Sequence, residues 1–255
     1  MLDAPAVARH IESELTRVGT PERATGERQY LKSDLSFLGT TVGDTRKVTQ
    51  ASLKEAADTG DLTHDDIVAL VLTLWSRPIF ECRLAATLAL ERRSDLLDLD
   101  DLELLERLIR ESRTWALVDV LAGSVVGDLA VRADTGPALD RWSRDDDFWV
   151  RRSSLLAEIR PLKNGMAFAP FADRADGMLE EKEFFIRKAI GWVLREASKT
   201  RPDEVFAWIA PRTDRASGVT IREVVKYLEE SRRTQLMDAY REHRPAVAGR
   251  GDRDS

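Results

Sequence analysis

Trp115 and Asp119 stand four residues apart in TWALVDVLAG, and on a helix that spacing puts both side chains on one face. An indole face beside a carboxylate is suited to positive charge, whether carried by a ligand or developing in a transition state. The same pair has a structural reading, with Trp115 in a core and Asp119 capping a helix or pairing with an arginine. Trp192, in KAIGWVLRE, is open to a place in the core or at the rim of a groove. Arg151 and Arg152 adjoin in DDFWVRRSSLL, so their side chains must point differently; a salt bridge between elements and a phosphate contact are the two roles on offer. The sequence has no GxxxxGK[ST] loop, no GxGxxG after a strand and no HExxH. Three scattered histidines and the single Cys82 make neither a metal-ligand cluster nor a nucleophilic thiol site. The chemistry left is that of a carboxylate, with no metal and no cofactor expected.

The elements that must position these residues read as helices throughout. Helical apolar spacing runs through IVALVLTLW (67 to 75), LAATLALERR (84 to 93), LELLERLIRE (102 to 111) and FIRKAIGWVLRE (185 to 196), and nothing alternates as a strand does. FECRLAATL from Phe80, WALVDVLAG from Trp115, FWVRRSSLL from Phe148, FFIRKAIGW from Phe184 and VTIREVVKY from Val219 stack as a faint repeat. Their starts are 35, 33, 36 and 35 residues apart. A period of that size predicts stacked helix pairs, since one pair cannot bury its apolar face alone. The fourth residues of the segments are Arg83, Val118, Arg151, Arg187 and Arg222, and the fifth are Leu84, Asp119, Arg152, Lys188 and Glu223. Equivalent positions of a repeat line up, which predicts that the middle repeats present one carboxylate, Asp119, on a stripe with Arg152 and Lys188. The expected fold is all-α, a curved α-solenoid with a concave face.

With 43% hydrophobic and 33% charged residues in 255, the chain reads as a globular protein, and one domain over 1–246 with a frayed polar tail at 247–255 is expected. No apolar run is long enough for a membrane span, and the N-terminus lacks the order of a secretory signal, so the expected location is cytoplasmic. A net charge of −6 argues against indiscriminate coating of nucleic acid. It leaves room for one basic face, because the acidic block SDLLDLDDLELLE (94 to 106) is separate from Arg151, Arg152, Arg187, Lys188 and Arg195.

QYLKSDLSFLGTTVGDTRK (29 to 47), SRTWALVDVLAGSVVGDL (112 to 129), DDFWVRRSSLL (146 to 156) and above all KEFFIRKAIGWVLREASKTRPDEVFAWI (182 to 209) resemble the DNA alkylation repair family of AlkD-like DNA glycosylases. The resemblance covers most of the chain. It implies HEAT-like helical repeats with a concave DNA-binding face, and excision of cationic alkylated purines such as N3-methyladenine and N7-methylguanine from duplex DNA. Carried over residue by residue, it makes Asp119 the catalytic carboxylate, Trp115 and Trp192 the groove tryptophans against the substrate, Arg152 a backbone-contacting arginine, and Tyr30 the family's N-terminal tyrosine, a DNA contact. Thr114 stands where members of that family often carry a second tryptophan. Arg151, Arg187 and Lys188 are expected to assist Arg152 on phosphates.

The partner so implied is alkylated double-stranded DNA, met by a monomer whose concave face is open. Two rivals differ in class: a non-catalytic helical-repeat module for a protein partner, and a binder of damaged DNA that leaves the glycosidic bond intact.

Overall fold

The computed structural model describes residues 2–58 and 60–243; the tail expected at 247–255 lies outside them. Among the described residues every regular element is helical, and the one β-type contact is an isolated parallel bridge between Ser36 and Ile79. The all-α expectation is met. Chain contacts divide the protein into two compact units, the first ending at Ala138 and the second beginning at Leu139.

The first unit contains α1 (Ala4–Val18), α2 (Pro21–Leu31), α3 (Val42–Asp58), α4 (His64–Trp75), α5 (Phe80–Arg92), α6 (Leu102–Ser112), α7 (Trp115–Asp119) and α8 (Gly127–Arg132); α9 (Gly136–Trp142) spans the boundary. The ends of these helices follow from local chemistry. Thr63 opens α4 with a capping box: its hydroxyl accepts from the Asp66 N–H, and the Asp66 carboxylate accepts from the Thr63 N–H at 3.1 Å. In α6 the buried residues Leu102, Leu105, Leu108 and Ile109 recur at helical spacing, so one apolar stripe faces inward.

Between α2 and α3 the chain runs without regular structure and is strapped to the start of α5. Ser36 donates to Pro78 O at 2.9 Å and accepts from the Phe80 N–H at 2.8 Å, while the Phe37 and Phe80 rings stack at 5.0 Å. The fully buried Glu81 carboxylate accepts the N–H groups of Leu38, Gly39 and Thr40 at 2.9, 2.6 and 3.3 Å. A buried charge is tolerable only with such partners. Gly39 has φ +80°, and a Cβ there would stand 2.1 Å from Thr20 O, so the turn needs glycine. One loop is thus fixed over α5.

The second unit holds α10 (Phe148–Leu156), α11 (Ile159–Lys163), α12 (Ala169–Gly177), α13 (Phe184–Ser198), α14 (Pro202–Ile209), α15 (Gly218–Val224) and α16 (Glu230–Glu242). α13 is its central element, packed on α10, α11, α14 and α15. Its approach to α15 depends on Gly191, where a Cβ would come within 2.7 Å of the Glu223 Cβ and 3.0 Å of Thr220 O. The period read from the sequence is visible in the helix starts: Phe80, Trp115, Phe148 and Phe184 each open a helix, and Val219 is the second residue of its own.

Candidate functional site

In the first unit, Trp115 opens α7 and Asp119 closes it one turn later, both half-buried. Asp119 is followed at once by a π-helical stretch, Val120–Val126, in which the Gly127 N–H reaches back to Ala122 O. π-turns widen a helix by one residue and are found most often at functional positions. The hydroxyl of Thr114, at the N-cap of α7, makes no capping bond and is buried without a hydrogen-bond partner. Tyr30, near the end of α2 and 72% exposed, meets the Trp115 ring edge to face, with centroids 6.0 Å apart and planes at 86°. Tyr30 and Trp115, both singled out from the sequence, are therefore brought together from the end of α2 and the start of α7, and Asp119 lies one turn further along α7.

In the second unit, Arg152 is buried, 2% exposed, with Nη1 donating to Phe185 O at 2.6 Å and its guanidinium 5.8 Å from the Phe185 ring. Phe148, Trp149 and Phe185 cluster beside it, with centroids 4.5 to 6.2 Å apart. Arg151 forks onto Glu181, Nε to Oε1 at 2.8 Å and Nη2 to Oε2 at 2.9 Å, and its Nη1 donates to Asp145 O and Asp146 O. This is the salt bridge between repeats that the sequence left open. Arg187 donates from Nε to Glu181 O at 2.6 Å. Trp192 is half-buried on α13, next to the close approach at Gly191.

Lys188 pairs with Glu223, which also takes Arg195 and Lys226. Burial alone would push the Glu223 carboxyl up. Hydrogen bonds from Lys188 and Lys226, with the charges of Lys188 and Arg195, outweigh burial and hold it down at about 2. Reasoning from sequence missed Glu223 as their holder, although the signal was present: Lys188 and Glu223 occupy the same position of neighbouring repeats with opposite charge.

Two further residues escaped it. Lys32 and Arg113 end α2 and α6 in the left-handed region, with φ +48° and +49°, and are the non-glycine residues of positive φ among those described. That conformation costs a side-chain-bearing residue about 1–2 kcal/mol, and glycine is the usual choice there. Both residues line a cleft of about 330 Å³ with Arg83 and Glu111. The sequence carries no signal of it, since the residue that ordinarily marks such an end is glycine. Among the described residues no group of His, Cys, Asp and Glu is placed to hold a metal ion, and no helix is long and apolar enough to cross a membrane.

These features define a helical protein with a carboxylate one turn along a short helix from a pair of touching aromatic rings. The chain belongs to the DNA alkylation repair enzyme family, whose model matches residues 11–228. Its fold is similar to that of a predicted DNA alkylation repair enzyme from Enterococcus faecalis, at TM-score 0.74 and 22% identity, covering 83% of this chain and 97% of that one. It is similar also to AlkD2 from Streptococcus mutans, at TM-score 0.52 and 16% identity, covering 86% and 98%. No curated protein matches the sequence.

Proposed function

We propose that the chain is a DNA glycosylase that hydrolyses the N-glycosidic bond of cationic alkylated purines, N3-methyladenine and N7-methylguanine, in duplex DNA, leaving an abasic site. The observation that carries this reading is the placement of Asp119 one helical turn from Trp115, whose ring meets the exposed Tyr30, in a chain of the DNA alkylation repair family.

The chemistry asks little of the protein. An alkylated purine with a positive charge is already a good leaving group, so no acid is needed to protonate it, unlike ordinary glycoside hydrolysis. The bond breaks with its electron pair passing to the purine, which neutralises the base and leaves an oxocarbenium-like sugar. Water adds at C1′ and gives up a proton to the Asp119 carboxylate or to solvent. Asp119 stabilises the positive sugar and orients that water, and the ring of Trp115 offers its face to the same charge. Trp192 as a second substrate tryptophan and Arg152 as a phosphate contact rest on the family resemblance. Arg151, Arg152, Arg187 and Lys188 each already hold a protein partner, which makes all four weaker candidates for DNA than a cation without one.

The test is incubation of the folded wild type with methylated duplex DNA and mass spectrometry of the released bases. N7-methylguanine and N3-methyladenine are expected in solution, with abasic sites left in the duplex. Binding of methylated duplex without release of either base would replace the enzyme with a damage-recognition protein.

A further inference from the structure

The cleft at the ends of α2 and α6 carries more positive charge than the fold uses. It is lined by Lys32, Arg83 and Arg113, against the carboxylates of Asp34 and Glu111. None of the three cations forms an ion pair with a described residue. Glu111 is occupied otherwise, with Oε2 accepting from the Trp75 indole N–H at 2.7 Å. Arg83 lies 5.1 Å over the Trp75 ring and spends one N–H on Glu111 O at 3.0 Å, while its Nε is buried with no hydrogen-bond partner. That nitrogen is shut off from solvent, so an anion in the cleft would meet the outer N–H groups of the guanidinium instead. Burial pushes the Arg83 guanidinium below its ordinary range; Glu111 opposes that shift, and the like charge of Arg113 adds to it. A bound anion would compensate for the burial and offset the repulsion from Arg113.

The backbone points the same way. Two long cationic side chains stand at helix ends in a conformation that glycine adopts freely, and both face one cleft. Strain of this kind persists where the surroundings enforce it, most often at ligand sites. Each residue is also two positions from one ring of the Tyr30–Trp115 contact, Lys32 from Tyr30 and Arg113 from Trp115. An anion in the cleft is therefore close along both chain segments to a base or sugar held at the rings.

We infer that this cleft binds a phosphate of the DNA backbone, held by Arg83, Arg113 and Lys32, and that it fixes the register of the strand presented to Tyr30 and Trp115. This deepens the proposed function and rests on DNA being the substrate. Phosphate contacts set position while carrying no sequence information, which suits recognition of a lesion by its charge.

The experiment uses the full chain with Lys32→Gly and Arg113→Gly together, since glycine relieves the left-handed backbone while removing both charges. Fluorescence anisotropy with an undamaged duplex oligonucleotide is run over a salt series, beside thermal denaturation. The inference expects an unchanged or higher melting temperature, affinity down by about tenfold at low salt, and a salt slope shallower by about one. A parallel variant, Arg9→Gln with Arg92→Gln, removes two exposed cations that do not line the cleft and should bind as the wild type does. Lys32→Asn with Arg113→Asn, also tolerant of the left-handed region, serves if the glycine pair fails to fold. Unchanged affinity in a folded cleft variant overturns the inference, as does equal loss in the Arg9 and Arg92 variant, or a wild type that binds no duplex. If cleft variants lose affinity while the wild type releases no alkylated base, the glycosylase reading fails and the phosphate site stands.

Discussion

The cations of the second unit and those around the cleft of the first are alike in type and opposite in circumstance. Arg151 is forked onto Glu181, and Lys188, Arg195 and Lys226 converge on Glu223. Lys32, Arg83 and Arg113 share a cleft with no such partner. In the second unit positive charge is spent on joining one repeat to the next; in the first it is left available at a strained and partly buried place. A cation in an apolar helix is therefore a poor guide to where an anion binds. What the cation already holds is the better guide.

If this contrast is real, removing charge in the second unit lowers stability, and removing it in the cleft lowers affinity instead. The largest effect belongs to Glu223→Ala, which removes a buried carboxylate, leaves Lys188 and Lys226 without a counter-charge and leaves Arg195 with Glu196 at 3.6 Å. A loss of about 3 kcal/mol is expected, a fall in melting temperature of roughly 6–12 °C. A loss below about 1 kcal/mol would break the contrast at its strongest point. The same carboxylate carries a pH signature. Its folded pKa of about 2 lies below the ordinary 4.5, so its stabilisation is fully present above pH 4.5 and is lost as pH falls toward 2. Urea denaturation across that window should show stability falling with acid in the wild type and a flatter profile in Glu223→Gln.

A smaller effect is expected of Glu181→Gln, which weakens a fork between partly exposed partners: about 1 kcal/mol by urea denaturation, with DNA affinity unchanged. If affinity rises instead, Arg151 is released to bind phosphate, and the division between the units is less clean than drawn. The smallest effect on stability belongs to Arg113→Gly alone, between no change and a gain of about 1 kcal/mol by thermal denaturation. A clear loss would make Arg113 a structural cap.

Much of the fold was legible because its signals are local. Helix starts at Phe80, Trp115, Phe148 and Phe184 show in a period near 35, since each repeat must bury the same face. The acidic block from Ser94 was read only as charge. It turns out as two short 3₁₀ turns, Ser94–Leu96 and Leu99–Asp101, leading into α6, with Asp98 and Asp101 forming a capping box and Asp101 meeting His64 Nε2 at 2.8 Å. Of the candidate site, Trp115 and Asp119 could be paired from spacing alone, whereas the meeting of Tyr30 with Trp115 joins positions 85 residues apart that no local pattern encodes. The cleft was invisible for the same reason, and because a left-handed lysine or arginine breaks the rule that glycine ends helices. The π-helical stretch after Asp119 has no marker in VLAGSVV that separates it from an ordinary helix.

The measurement that bears most directly on the account is single-turnover release of N7-methylguanine from methylated duplex by the wild type and by Asp119→Asn, with circular dichroism confirming that both are folded. Release by the wild type is expected, with a rate lower by at least about a hundredfold in Asp119→Asn, about 2.7 kcal/mol of transition-state stabilisation. A folded Asp119→Asn protein that releases the base at the wild-type rate would contradict it.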